Sequence, residues 1–105
     1  MKNVKMPTSD SYLDALIKSL KDSEYAAAYL TAILEEIDPE PELLPLALKD
    51  VAEARGELTM PSEQAKLHQE KLDELLSKQG SDAIYHLGAW LNALGLKLAV
   101  NVKAD

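Results

Sequence analysis

The sequence predicts a small all-α bundle that ends in one short strand. Apolar residues recur at spacings of three and four through most of the chain, the spacing of the buried face of an amphipathic helix. Prolines and glycines divide these stretches into separate helices. The last apolar stretch, residues 96–102, changes to a period of two, which is typical of a strand.

Length and composition limit the possible functions. A chain of 105 residues is long enough for one domain and its core. The absence of cysteine excludes a disulfide framework and a thiolate metal site, and it fits a reducing cytosol. The chain lacks an apolar stretch that could span a bilayer or act as a signal peptide. We therefore expect a cytoplasmic protein with no membrane partner.

The net charge of −7 is concentrated in the N-terminal half. Residues 1–57 contain 12 acids and 6 bases, whereas residues 58–105 contain 6 acids and 5 bases. Residues 35–42 contain no base at all. A uniformly acidic surface repels phosphate, but the C-terminal half is close to neutral. The acidic half is either a solvated face that aids solubility or a patch that binds a basic partner.

The N-terminal half is predicted to form three helices, near residues 10–20, 22–37 and 41–55. Asp22 is placed to cap the second of them, which is apolar around much of its circumference and is expected to be the central buried helix. Asp38 and Pro39 then break the chain, because a residue before proline avoids helical geometry. Arg55 suits the negative end of the third helix, and Gly56 is its expected C-cap.

The C-terminal half is predicted to form three more helices, near residues 60–66, 68–78 and 82–94. Thr59 is expected to cap the first, Ser81 or Asp82 the third, and Gly95 to end the third. No glycine, proline or asparagine interrupts residues 62–78, so local propensity alone favours one continuous helix there.

The apolar pattern within that stretch favours a turn instead. On a continuous helix, Leu67 would lie about 160° from Ala65 and would be exposed to water. A tight turn at residues 66–68 would direct Leu67 into the core, as the turn of a helix-turn-helix does with its central apolar residue. One exposed leucine is ordinary, so this argument alone is weak.

Residues 96–102 form the predicted strand, with Leu96, Leu98, Val100 and Val102 alternating along it. A single strand cannot pair its own backbone groups. The simplest partner is the same strand of a second subunit, which predicts a homodimer.

Three segments carry a resemblance to the addiction-module antidote proteins, small lambda-repressor-like helix-turn-helix antitoxins that are encoded beside a toxin. These segments are residues 23–36 (SEYAAAYLTAILEE), 46–56 (LALKDVAEARG) and 93–100 (ALGLKLAV). The resemblance implies one domain, with helices over 9–56, the motif and a buttressing helix over 57–95, and the strand over 96–102. It also assigns Thr59 as the cap of the first motif helix and Leu67 as the apolar turn residue.

The sequence departs from the family pattern within the motif. Lys66 stands at the family's turn glycine, His68 at the capping serine and Gln69 at an arginine. Asp73 and Glu74 replace an aromatic–lysine pair. The expected recognition helix therefore carries three acids, which suit phosphates and base-edge acceptors poorly.

The resemblance implies a DNA-binding transcriptional regulator that acts as the antitoxin of a toxin–antitoxin module. Its expected partners are operator DNA, a small basic toxin and a second copy of the chain. The candidate DNA-contacting residues are Thr59, His68, Gln69, Lys71 and Lys78. The alternative is an interaction-only protein whose vestigial helix-turn-helix no longer binds DNA.

Catalytic chemistry is not expected. His68 and His86 are the only histidines, and their spacing matches no metal-ligand pattern. The four glycines are scattered rather than gathered in a phosphate-binding loop, and no serine lies in a nucleophile-elbow context. We therefore expect no enzyme activity, no metal and no cofactor.

Overall fold

The computed structural model describes residues 9–104, which form five α-helices. In chain order these are α1 (Ser9–Leu20), α2 (Ser23–Leu34), α3 (Leu43–Thr59), α4 (Ser62–Leu76) and α5 (Gly80–Asn92). The all-α class is confirmed, and no strand forms within the described residues. In the same range, no helix has both the length and the apolar character needed to span a lipid bilayer.

Helix α3 is the central helix of the bundle, since it packs against α1, α2 and α4. Its buried face is built largely from small residues, Ala47, Ala52 and Ala54, together with Leu48 and Val51. Small side chains allow neighbouring helices to approach closely, while the two larger ones fill the space between them. The prediction that α2 is the central buried helix is wrong, because only Ala26 and Leu30 of α2 are buried.

Helix α2 begins as predicted but ends earlier than predicted. The Asp22 carboxylate accepts a hydrogen bond of 2.9 Å from the Glu24 backbone N–H, so the predicted cap is confirmed. The helix ends at Leu34, three residues before the predicted end at residue 37. The Glu36 N–H bonds to the Ile33 carbonyl at 3.2 Å, which tightens the last turn before Pro39 is reached.

Helix α3 continues past Gly56, so the predicted end at residue 55 and the predicted C-cap are wrong. Gly56 is buried, and a Cβ atom there would lie only 3.2 Å from Ala65 Cβ. The absence of a side chain at residue 56 therefore allows the close approach of α3 and α4 at Ala65, and a larger residue would push the two helices apart by a few tenths of an ångström. Thr59 is the last residue of α3 rather than the cap of α4, and its hydroxyl donates to the Arg55 carbonyl at 2.9 Å. The extended conformation of Met60 before Pro61 ends the helix.

Helix α4 is uninterrupted, so the predicted turn at residues 66–68 and the two separate helices around it are wrong. No residue other than glycine has a positive φ in the described part of the chain, so Lys66 is not left-handed. Leu67 is 57% exposed, as a continuous helix requires. Breaking several helical hydrogen bonds would cost more than leaving one leucine partly in water. The helix-turn-helix motif centred on this turn is therefore absent.

Helix α5 begins at Gly80, two residues earlier than predicted, and follows Gln79 rather than a Ser81 or Asp82 cap. The helix ends at Asn92, two residues before the predicted end at residue 94. The glycine expected to terminate it is present, since Gly95 has a left-handed φ of +83° and the Leu96 N–H bonds back to the Leu91 carbonyl at 3.0 Å.

The chain after Gly95 is extended but is not a strand. Leu96 is buried, and Leu98 packs against the same core, so this side of the segment is covered by its own chain. Val100 and Val102 are 100% and 97% exposed. An extended segment becomes a strand only when another backbone pairs with it. Pairing with a second subunit therefore stays a prediction, and it would involve the two valines.

Arg55 joins the ends of two other helices to α3. Its Nε donates to the Leu94 carbonyl at 3.0 Å, after α5, and its Nη1 donates to the Lys21 carbonyl at 2.6 Å, after α1. A Cβ atom at Gly95 would lie 2.7 Å from Arg55 Nη2, so a side chain there would displace the guanidinium. The sequence prediction placed Arg55 at the end of its own helix, whereas it caps its neighbours.

Replacing Arg55 with methionine should lower the free energy of unfolding by about 2–4 kcal/mol, because two carbonyls lose a charged donor. Urea titration followed by circular dichroism measures this change. Lys18→Met, which removes an exposed cation from α1, is the matched control and should shift stability by no more than about 0.5 kcal/mol. Equal effects of the two variants would contradict the role assigned to Arg55.

Replacing Lys66 with glycine distinguishes a continuous α4 from a turn. In a continuous helix, Lys66→Gly should destabilise the protein by about 1 kcal/mol relative to Lys66→Ala. In a left-handed turn the order would reverse, because glycine adopts that conformation without strain. Thermal unfolding of the two variants gives the sign. A glycine variant more stable than the alanine variant would restore the helix-turn-helix.

Candidate functional site

Helices α4 and α5 are held together by a reciprocal contact between His68 and Trp90. The two rings stack with their centroids 4.8 Å apart and their planes 9° apart. Trp90 Nε1–H donates to the His68 carbonyl, and His68 Nε2–H donates to the Trp90 carbonyl, both at 2.8 Å. A carbonyl only accepts, so His68 must carry a proton on Nε2. Trp90 is 4% exposed, and its one donor is thereby satisfied.

An open cleft of about 290 Å³ lies beside this stack; we call it the α4–α5 cleft. Its apolar wall is formed by Leu75, Ala89 and Trp90. Its polar lining consists of His68, Lys71, Glu74, Lys78 and His86. Both histidines of the chain and two of its lysines therefore meet at one surface.

The predicted DNA-contacting residues do not all share that surface. His68, Lys71 and Lys78 line the α4–α5 cleft, and Thr59 lines an adjoining hollow of about 390 Å³ together with His68 and Lys71. Gln69 lines separate hollows with α3 residues. Residues two positions apart in a helix point in directions that differ by about 200°, so Gln69 and Lys71 lie on opposite sides of α4. They cannot contact the same base pair from a continuous helix.

Sequence reasoning missed His86, Glu74 and the apolar wall as parts of this site. On a continuous helix, His68, Lys71 and Lys78 are separated by three and seven residues and therefore share one face. That spacing was available in the sequence. The predicted turn at residues 66–68 concealed it, because it placed His68 at the start of a new helix.

The charges of the cleft are only partly paired. Lys78 Nζ lies 3.9 Å from an Asp82 oxygen, and His86 Nδ1 lies 3.3 Å from the other oxygen of that carboxylate. The same His86 nitrogen also donates to the Asp82 carbonyl at 2.8 Å. Among the described residues, Lys71 has no ion-pair partner. The cleft therefore offers one unpaired ammonium group next to a weakly paired one.

A second exposed surface joins α2 to α3; we call it the acidic α2–α3 surface. Its acids are Glu35, Glu36, Asp38, Glu40 and Glu42, none of which forms an ion pair with another described residue. Ile37 lies among them and is 100% exposed, and Leu34 and Leu46 on either side are more than half exposed. Apolar side chains and unpaired carboxylates are therefore presented together.

Asp50 and Tyr29 are the described groups whose ionisation is shifted. Burial raises the pKa of the Asp50 carboxyl, the negative charge of Glu53 raises it further, and Lys49 lowers it. Burial also raises the pKa of the Tyr29 hydroxyl, with Asp50 as the next cause. A raised carboxyl pKa means that ionised Asp50 opposes folding at neutral pH. This cost begins to fall as the pH drops through the folded-state pKa and is absent below the lower, unfolded-state pKa. Both residues belong to the packing of α2 on α3.

Removing the indole donor of Trp90 tests the contact between α4 and α5. Trp90→Phe should lower the free energy of unfolding by about 1–2 kcal/mol, because the hydrogen bond from the indole to the His68 carbonyl is lost and the smaller ring leaves a gap. Tyr85→Phe on the exposed side of α5 is the control, and it should change stability little. Urea titration followed by circular dichroism measures both. A neutral Trp90→Phe would show that the hydrogen bond does not hold the helices.

Comparison with known proteins identified no relative. No protein-family model, curated protein or solved structure matches this chain. No relative therefore supports either surface, and the case for each depends on the sequence and on the geometry described above.

Proposed function

We propose that this chain is an interaction protein of the antitoxin type, which binds a small basic protein through the acidic α2–α3 surface. The observation that carries the proposal is the complete exposure of Ile37 among five carboxylates without ion-pair partners. The resemblance of residues 23–36 and 46–56 to antidote proteins supplies the class of partner, a small basic toxin.

The physical case is one of charge and apolar complementarity. A partner with lysines and arginines would pair the carboxylates and would be steered toward them from a distance. The same contact would remove Ile37, Leu34 and Leu46 from water. Burial of this apolar surface would supply binding free energy that surface ion pairs alone do not provide. Acids that only served solubility would not require a fully exposed isoleucine at their centre.

The continuous α4 favours this function over DNA recognition. A recognition helix that begins at His68 needs a turn at residues 66–68, and α4 runs through those residues without interruption. The sequence left two functions open, a DNA-binding regulator and an interaction-only protein. The continuous α4 favours the interaction-only protein.

The proposal predicts that a reading frame next to the gene of this chain encodes a small basic protein, and the test uses that protein. Combining Ile37→Ser with Glu36→Lys and Glu40→Lys should weaken binding by at least about tenfold, which corresponds to roughly 1.4 kcal/mol. Calorimetry measures the change. The control combines Ile84→Ser on α5 with Asp73→Lys on α4, both exposed, and should leave affinity unchanged. No binding by the wild type, or equal losses in both variants, would overturn the proposal.

DNA binding is the second candidate function, because Lys71, Lys78 and His68 share one accessible surface. Non-specific affinity should be weak and its salt dependence shallow, since a dimer would bring twice the charge of −7 to the duplex. Titration of the DNA upstream of the gene at low salt is the measurement. Lys71→Ala should reduce binding and Gln69→Ala should not, because the two side chains lie on different sides of α4. No mobility shift at low salt would exclude this candidate.

A further inference from the structure

The α4–α5 cleft has the features of a small-molecule site that the proposed function does not use. We propose that it binds a small organic monoanion with an apolar body, of which a medium-chain carboxylate is the simplest example. The cleft and the acidic α2–α3 surface are built from different residues, so either proposal can fail while the other stands.

The apolar wall provides the binding surface for the body of the ligand. Leu75 and Trp90 are 5% and 4% exposed, so their positions are fixed by the core, and Ala89 leaves open space beside them. The volume of about 290 Å³ is at the lower end for ligand pockets. An aliphatic chain or a single ring therefore suits it better than a dinucleotide or an extended peptide.

The lining charges select a monoanion. Lys71 has no ion-pair partner among the described residues, and Lys78 is 3.9 Å from Asp82, beyond hydrogen-bonding distance. Glu74 also lines the cleft and lies between these two lysines in the sequence. With neutral histidines, the lining residues have a formal charge of +1, and Asp82, just outside the lining, partly offsets Lys78. Lys71 is therefore the cation available to one carboxylate, whereas a second negative charge would be repelled by Glu74 and Asp82.

The histidines add hydrogen-bonding groups of known type. Nε2 of His68 and Nδ1 of His86 each donate to a backbone carbonyl. In a neutral ring, Nδ1 of His68 and Nε2 of His86 are then acceptors. The cleft therefore offers two acceptors besides the lysine donors, so a ligand with a hydroxyl group as well as a carboxylate would be bound more tightly than a plain alkanoate.

Trp90 allows direct measurement, because it is the only tryptophan in the sequence and forms part of the wall. Octanoate is titrated into the full chain while Trp90 fluorescence is recorded, with octylammonium and octyl phosphate dianion as comparison ligands. We expect a saturable change for octanoate in the millimolar range, weaker binding of the phosphate dianion and none of the ammonium.

Variants identify the site. Lys71→Gln should weaken octanoate binding about tenfold, the loss expected for one charge-assisted hydrogen bond. Ala89→Leu should abolish binding by filling the space beside Trp90. Lys66→Gln is the matched control, because this lysine lies on α4 away from the cleft and lines the hollows next to α3. Circular dichroism establishes that each variant is folded, and Lys71→Gln alone decides the matter if Ala89→Leu does not fold.

Three outcomes would overturn the proposal. These are the absence of a saturable change with octanoate, equal binding of octanoate and octylammonium, and equal losses in Lys71→Gln and Lys66→Gln. Equal binding of octanoate and octylammonium would indicate apolar association in which no lysine takes part. Equal losses in the two variants would indicate a general effect of the protein's net charge. Stronger binding of the phosphate dianion than of octanoate would reject the selection assigned to Glu74.

Discussion

The Arg55 guanidinium is the interaction on which the arrangement of the helices depends. It is carried by the central helix α3 and donates to the carbonyls of Lys21 and Leu94, which follow α1 and α5. The last carbonyls of a helix have no partner within it and carry its negative end, so one cation stabilises two helix ends at once. Gly95 has no side chain to block this contact. The direction in which the C-terminal segment leaves α5 is set here.

The C-terminal part of α5 is also held on α4 by a different device, the paired contact of His68 and Trp90. Because each residue donates its ring N–H to the backbone carbonyl of the other, α4 and α5 are held at two points in register. The α4–α5 cleft is therefore preformed rather than created by a ligand. The chain has two unlike surfaces, an acidic one without ion pairs and a cleft with an unpaired lysine, and each calls for a different kind of partner.

Local sequence signals predicted the elements whose causes are local. The helix predicted near residues 10–20, the Asp22 cap and the terminating glycine Gly95 each depend on neighbours in the chain, and the structure has all three. The turn at residues 66–68 was wrong because one apolar residue, Leu67, was given more weight than the unbroken helical propensity around it. The buried Gly56 and the role of Arg55 were not predictable from sequence, since both depend on residues brought near only by packing. Three of the five predicted site residues, His68, Lys71 and Lys78, line the cleft because their spacing of three and seven residues places them on one face. The predicted turn had concealed this spacing.

The Arg55 contact also has a consequence for the order of folding. It joins residues 34 and 39 positions apart in the chain, whereas four of the five packed helix pairs, α1–α2, α2–α3, α3–α4 and α4–α5, are neighbours along the chain. The fifth pair, α1 and α3, is one that Arg55 itself joins. Closing long loops costs entropy that nearby contacts avoid, so contacts between adjacent helices should form first. The guanidinium would then reach its two carbonyls after the folding barrier is crossed. Its loss would speed unfolding and leave the rate of folding nearly unchanged, so Arg55 governs how long the native chain lasts rather than how quickly it is made.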